Sequence, residues 1–172
     1  MVQHTLSHSV VLEVSADDIW EVSKQLDEIL PALEPEYFTK STFIEGIAGE
    51  PGSIRLVKPG PGQYYGKPGG IRIVKFGPAV PMAGELWERL DFSDDATKTM
   101  GVSLLKGDPR YPYLKTIKVV GPGAVEGTAD AVWTVTYIAA GNAGPPESHK
   151  HMYMQVCKVI GAELKANPEA YA

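Results

Sequence analysis

The sequence predicts an α+β fold in which a curved antiparallel sheet closes over one long C-terminal helix. The first observation is the segment 147–172, where apolar residues recur at intervals of three and four while lysines take the other side. The second is a series of short segments of alternating polarity joined by tight turns, which is typical of antiparallel strands. The third is a pair of helical segments between the first two strands, an order that indicates an α+β fold and not a parallel βαβ sheet.

The elements can be placed in order along the chain. The first strand is predicted at 7–15, where apolar and polar residues alternate. Ser15 is positioned to cap a helix that carries Asp17 and Asp18 in its first turn. A second short helix is predicted at 27–33. Further strands are predicted at 39–46, 85–92, 98–105, 111–120 and 128–138, before the long helix that begins at Glu147.

One internal repeat lies between the second strand and residue 85. Residues 49–61 recur as 66–78, with nine of the thirteen positions identical. Two copies are too few for a solenoid, so the repeat indicates a local duplication of a strand. We expect an added hairpin or a long, broken third strand in this region.

Composition limits the classes of function. A chain of 172 residues, 44% of them hydrophobic, is long enough for one domain with a sizeable core. The net charge of −5 gives no attraction to nucleic acid, and no apolar run reaches the length of about 18 residues that a membrane span requires. We therefore expect a single cytoplasmic domain, monomeric or weakly dimeric, without nucleic acid or membrane partners. The single cysteine, Cys157, is predicted to be a small buried thiol.

Three motifs carry a resemblance to a known family. These are the glycine-rich loop Gly46–Ser53 after the second strand, the turn Lys106–Asp108 after the fifth, and the ending Ala166–Ala172. With the order of elements, they resemble the plant birch-pollen-allergen-like family, which includes the class-ten pathogenesis-related proteins. The resemblance implies the START-like helix-grip fold, with a curved seven-stranded antiparallel sheet around the C-terminal helix and two short helices after strand one. It covers nearly the whole chain apart from the duplicated segment.

The resemblance also implies a function. Members of the family bind hydrophobic or aromatic small molecules, such as plant hormones and specialised metabolites, in a cavity between sheet and helix. No cofactor or metal is expected, because His149 and His151 point in different directions on a helix and no further ligands complete a site. The residues predicted to line the cavity are Met100, Val102, Trp133, Val135, Tyr137, Met152, Tyr153 and Val156.

Four polar residues are candidates for contacts or chemistry. Glu88 alternates with apolar neighbours, so it is either a buried acid or base or, if a bulge shifts the register, a solvated carboxylate. Tyr111 and Tyr113 can share one strand face and hydrogen-bond a ligand, or they are ordinary strand aromatics. Lys40 resembles the lysine that anchors a ligand carboxylate in abscisic acid receptors, or it is a surface lysine.

Three hypotheses about function remain open at this level. The first is a carrier or sensor of an aromatic small molecule. The second is an enzyme of specialised metabolism, catalysing condensation, cyclisation or isomerisation, in which Glu88 or Tyr111 moves a proton and Lys40 stabilises negative charge. The third is a hormone-dependent receptor in which residues 78–82 and 107–110 are the gate and latch loops that close over the ligand.

Overall fold

The computed structural model describes residues 2–23, 29, 33, 38–45, 55–56, 71–76 and 85–171. Its sheet has the strand order β1-β8-β7-β6-β5-β4-β2-β3, and each neighbouring pair is antiparallel. The strands are β1 Gln3–Leu12, β2 Phe38–Glu45, β3 Arg55–Leu56, β4 Ile71–Phe76, β5 Glu85–Asp94, β6 Thr99–Lys106, β7 Tyr113–Pro122 and β8 Ala129–Ile138. The helices are α1 Ala16–Ser23, α2 Glu147–Ala166 and a short 3₁₀ helix at Pro168–Tyr171.

The predicted α+β class is confirmed, but the predicted number of seven strands is wrong. The described sheet has eight strands, because both copies of the repeat contribute one. The first copy supplies β3 and the second supplies β4, and the two pair with opposite edges of β2. A duplicated strand sequence can pair with the same neighbour twice, so the sheet gains an extra edge strand.

The first strand is displaced towards the N-terminus relative to the prediction of 7–15. It ends at Leu12 because Ser15 is used to start α1: the Asp18 amide donates to Ser15 Oγ at 3.1 Å, as a helix cap requires. Ile29 and Leu33 are helical, in agreement with a second short helix, although the bounds of that helix lie outside the described residues.

The sheet has one face that is buried along the whole of β8. In β8 every second residue is buried, and its ten residues pair in continuous register with β1. Cross-strand partners share a face of a sheet, so the buried positions of β8 identify the inner face of its neighbours as well. The residues that define the inner face are Ala129, Ala131, Trp133, Val135 and Tyr137.

Helix α2 covers this inner face. Its buried residues recur at intervals of three and four and pack in one core with residues of β1, β8 and α1. Gly161 marks a close approach of α2 to β1, since a Cβ there would lie 3.2 Å from a methyl carbon of Leu12. In the part of the chain described here, neither helix combines the length and the hydrophobicity that crossing a membrane requires.

Candidate functional site

The inner face carries polar side chains in rows across an otherwise apolar surface. The strand register sets these rows, because each residue stands beside its partner on the next strand. The row nearest the middle of the sheet consists of His8, Trp133, Lys118 and Met100, on β1, β8, β7 and β6. The next row consists of Leu6, Val135, Thr116, Val102 and Leu90, on β1, β8, β7, β6 and β5.

Trp133 is the centre of an aromatic stack. The His8 ring lies parallel to the indole with centroids 5.5 Å apart, and the Tyr153 ring of α2 lies 5.9 Å away at 27°. Lys118 Nζ is 5.9 Å from the indole centroid and also donates to Ser23 Oγ at 2.5 Å. The stack therefore joins sheet and helix through flat faces, with a cation beside it.

Thr116 brings a hydroxyl into the apolar row between Val135 and Val102. Its side chain is 4% exposed, and Oγ1 has no hydrogen-bond partner among the described residues. An unpaired buried hydroxyl costs about 1–3 kcal/mol. The inner face thus carries a polar atom that its own neighbours do not satisfy.

His8, at the β1 end of the first row, also has buried polar atoms without a partner. Neither of its ring nitrogens is hydrogen-bonded within the described ranges. Burial lowers the pKa of His8, Lys150 on α2 lowers it further, and Glu147 opposes them. The imidazole is therefore favoured in its neutral form, with one donor and one acceptor.

Glu88 lies on the inner side of β5. It is 3% exposed and pairs in register with Leu104 of β6 and with Arg72 of β4. The β5–β6 pairing has irregularities on both sides of Glu88, yet the side chain stays buried. The alternative of a solvated Glu88 is therefore wrong, while its predicted role in chemistry stays a prediction.

The prediction that Tyr111 and Tyr113 share one face is wrong. Tyr111 precedes β7 and is buried, whereas Tyr113 begins the strand and is 40% exposed. The Tyr111 hydroxyl donates to the Gly144 and Pro145 carbonyl oxygens, each 3.1 Å away. Burial raises the pKa of Tyr111, so the phenol stays protonated as this bond requires. Tyr111 thereby fixes the loop that leads into α2.

His149 is a buried polar residue that was considered from the sequence only as a metal ligand and rejected as one. It is 1% exposed, and the described residues offer no hydrogen bond to either of its ring nitrogens. Its ring stands edge-on to Tyr111, with centroids 6.4 Å apart. Burial lowers its pKa, while Glu88 and Asp108 raise it. Its burial could have been predicted from the sequence, because it lies three residues before Met152 on the apolar stripe of the helix.

The remaining predicted lining residues are buried or partly buried, and they divide between two hydrophobic clusters. Among the predicted positions, Val102 and Tyr153 are partly buried against the core. The fully buried ones are Met100, Trp133, Val135, Tyr137, Met152 and Val156. Six of the eight belong to or pack against the large core cluster under α2, whereas Val135 and Tyr137 belong to a second cluster with Tyr111 and Leu114. Contact of these residues with a ligand stays a prediction.

Of the residues predicted for the receptor hypothesis, only the latch loop has side chains in the described residues. Lys40 is opposite Lys75 in the β2–β4 register, and its side chain lies outside the described residues, as do residues 78–82. In the predicted latch, Arg110 Nε lies 2.9 Å from both carboxylate oxygens of Asp108. These bonds to Arg110 lower the pKa of Asp108 and hold the loop in one conformation. The receptor hypothesis stays a prediction.

The described residues contain no assembled site for metal binding or for thiol chemistry. In the described ranges, no three His, Cys, Asp or Glu side chains are close enough together to hold a metal ion. Cys157 is buried, as predicted, and burial raises the pKa of its thiol although Lys118 opposes this. A protonated thiol is a poor nucleophile, so Cys157 is part of the core.

An antiparallel sheet with a long helix across its inner face defines the helix-grip class of fold. Solved structures of this class are similar to the chain over almost its whole length. The crystal structure of Ara h 8.0201 has a TM-score of 0.68 at 18% identity, covering 96% of this chain and 100% of its own. Norcoclaurine synthase from Thalictrum flavum, in complex with dopamine and hydroxybenzaldehyde, has a TM-score of 0.67 at 21% identity, covering 96% and 88%. Major latex-like protein 151 from Panax ginseng has a TM-score of 0.70 at 14% identity, covering 95% and 98%.

No protein-family model and no curated protein sequence matches the chain. The similarity to solved structures therefore concerns the fold. It confirms the fold that the sequence resemblance implied, that of the birch-pollen-allergen-like proteins. The duplicated segment, with its additional edge strand, is the main departure from the seven-stranded sheet that the resemblance implied.

Proposed function

We propose that the chain, acting as one domain over residues 1–172, binds a largely apolar aromatic molecule between the inner face of the sheet and α2. The observation that carries this proposal is the set of buried polar atoms on His8, Thr116 and His149, which lack hydrogen-bond partners in the described structure. Native proteins pair nearly all buried polar atoms, and leaving one unpaired costs about 1–3 kcal/mol. A ligand with matching polar groups recovers that cost on binding.

The surroundings of these atoms suit an aromatic ligand. Trp133 already stacks with His8 and Tyr153, so flat surfaces line both the sheet and the helix. Offset stacking on such surfaces contributes about 0.5–1.5 kcal/mol beyond the burial of apolar area. Met100 and Met152 add flexible side chains that adapt to ligands of irregular shape.

The solved structures add support from a different direction. One of them is an enzyme in complex with two aromatic molecules, dopamine and hydroxybenzaldehyde. A fold of this kind therefore accommodates aromatic compounds, although a shared fold alone does not define a function.

Native mass spectrometry and fluorescence titration test the proposal. The panel includes naphthalene, 2-naphthol, dopamine and hydroxybenzaldehyde, and we expect one molecule bound per chain. Val102→Trp should reduce binding roughly tenfold or more, about 1.4 kcal/mol, because Val102 is opposite Thr116 and the larger ring would occupy the proposed ligand region. Val119→Trp is the matched control, since Val119 is exposed on the outer face. Equal binding by both variants would place the ligand elsewhere.

An acid–base enzyme is the second candidate, and a specific observation favours it. Glu88 and His149 are both almost fully buried, and the charge of Glu88 raises the pKa of His149. Two titratable groups in a shared apolar environment are a common arrangement for moving protons. This activity would be established if wild-type protein converts a panel compound to a product of new mass and Glu88→Gln binds the compound without converting it.

A further inference from the structure

We infer that His149 is the residue that recognises the ligand, and that it selects a neutral hydroxyl group, phenolic or alcoholic, over an anion. This inference rests on the proposed function, because it assigns a chemical class to the ligand of the same site. It concerns a residue whose ring the fold buries completely without giving either nitrogen a partner in the described residues.

The position of His149 directs it at the ligand region. It lies on the same buried stripe of α2 as Met152, Val156 and Ile160, separated by three, seven and eleven residues. Those intervals return to one side of a helix, and that side packs against the inner face of the sheet. His149 is therefore the polar beginning of an apolar stripe. His151, two residues later, is exposed on another side.

The environment of His149 is held in place by Tyr111. The Tyr111 ring contacts the imidazole edge-on, and its hydroxyl is already engaged by the Gly144 and Pro145 carbonyls. The phenol proton is thus unavailable to the imidazole, and neither His149 nitrogen has a hydrogen-bond partner among the described residues. Tyr111 acts as a positioning residue, which fixes the start of α2 while leaving the His149 nitrogens to another molecule.

The chemistry of the imidazole selects the ligand group. A neutral imidazole presents one donor and one acceptor, and a hydroxyl can pair with either nitrogen, because it too is both. A carboxylate can only accept, and it would bring a negative charge towards Glu88 and Asp108, which act electrostatically on His149. The Arg110 cation also acts on His149, but it is already paired with Asp108. Glu88 therefore disfavours an anion and leaves a neutral hydroxyl favoured.

A comparison of three probes with one ring system tests the inference. Naphthalene, 2-naphthol and 2-naphthoate are titrated into wild-type protein, His149→Phe and the matched control His151→Phe. Phenylalanine keeps the shape of the buried ring and removes its polar atoms, so the variant is expected to fold. In wild-type protein and the control, 2-naphthol should bind roughly tenfold more tightly than naphthalene, and more tightly than 2-naphthoate.

The three-probe comparison distinguishes failure of this inference from failure of the proposed function. In His149→Phe the advantage of 2-naphthol over naphthalene should disappear, while naphthalene still binds within about twofold of wild type. An advantage that persists in His149→Phe, or a preference for 2-naphthoate that depends on His149, overturns the inference and leaves the proposed function standing. Binding of none of the probes to wild-type protein overturns both.

Discussion

Replacement of Thr116 by valine should stabilise the protein, contrary to the usual effect of a mutation in a core. Thr116 is 4% exposed, and its Oγ1 atom lacks a partner in the described residues. Removing an unpaired buried hydroxyl recovers about 1–3 kcal/mol, and the methyl that replaces it adds up to about 0.8 kcal/mol of apolar burial. We expect a free energy of unfolding higher by about 1–2 kcal/mol, after allowing for imperfect packing of the new methyl.

Urea denaturation of the two proteins measures this difference, provided that the slope with denaturant is unchanged. Heating provides a second readout, with Tm higher by about 2–4 °C per kcal/mol for a domain of this size. Thr134→Val is the matched control on the outer face of β8, where the Thr134 hydroxyl shares a hydrogen bond of 3.0 Å with Ser7 Oγ. The control should be neutral or less stable by up to about 1 kcal/mol.

The sign of the change in the free energy of unfolding tests whether the Thr116 hydroxyl is unpaired. If Thr116→Val lowers the free energy of unfolding by more than about 0.5 kcal/mol, the hydroxyl is satisfied within the folded chain. Only His8 and His149 would then remain as residues whose unpaired polar atoms support a bound ligand. A stabilised variant would show that the protein retains a hydroxyl at a cost in stability, as functional sites commonly do.

Three further predictions follow from other contacts. Burial lowers the pKa of His149, so below pH 6.5 the unfolded chain binds more protons than the folded chain. The free energy of unfolding should therefore fall as the pH drops below 6.5, by up to about 1.4 kcal/mol per pH unit. Urea titrations should show a shallower fall for His149→Phe than for wild-type protein. Gly101→Ala should cost about 1–3 kcal/mol in thermal or urea unfolding, because a Cβ would lie 2.3 Å from the Phe92 ring; an unchanged stability would mean that the ring moves freely. Tyr111→Phe should cost about 0.5–1.5 kcal/mol by losing its bond to the Gly144 and Pro145 carbonyls, and no change in urea unfolding would contradict that bond.

Local patterns in the sequence predicted most of the elements of the fold. The start of α1 follows from Ser15, whose side chain caps the helix whatever the rest of the chain does. The buried stripe of α2 and the alternation of β8 follow from the periods of helix and strand. The repeat predicted an addition to the sheet, but the pairing of its two copies with both edges of β2 depends on contacts distant in sequence.

The sequence predicted the candidate site less completely than it predicted the fold. Alternation placed Glu88 among apolar neighbours, and its burial agrees with that pattern. The same reasoning failed for Tyr111 and Tyr113, because β7 begins at Tyr113 and alternation holds only inside a strand. Lys118 resembles any other strand lysine in sequence, and only the strand register places it beside Trp133.

The sequence by itself determined most of the helices and strands, the class of fold and the apolar character of the inner face. These depend on the spacing of residues within single helices and strands, which can be counted along the chain. Tertiary structure alone decided which buried polar atoms lack a partner in the described part of the chain. Whether Thr116, His8 or His149 finds a hydrogen bond depends on what the neighbouring strands and α2 place within about 3 Å of it, and those neighbours are far away in the sequence.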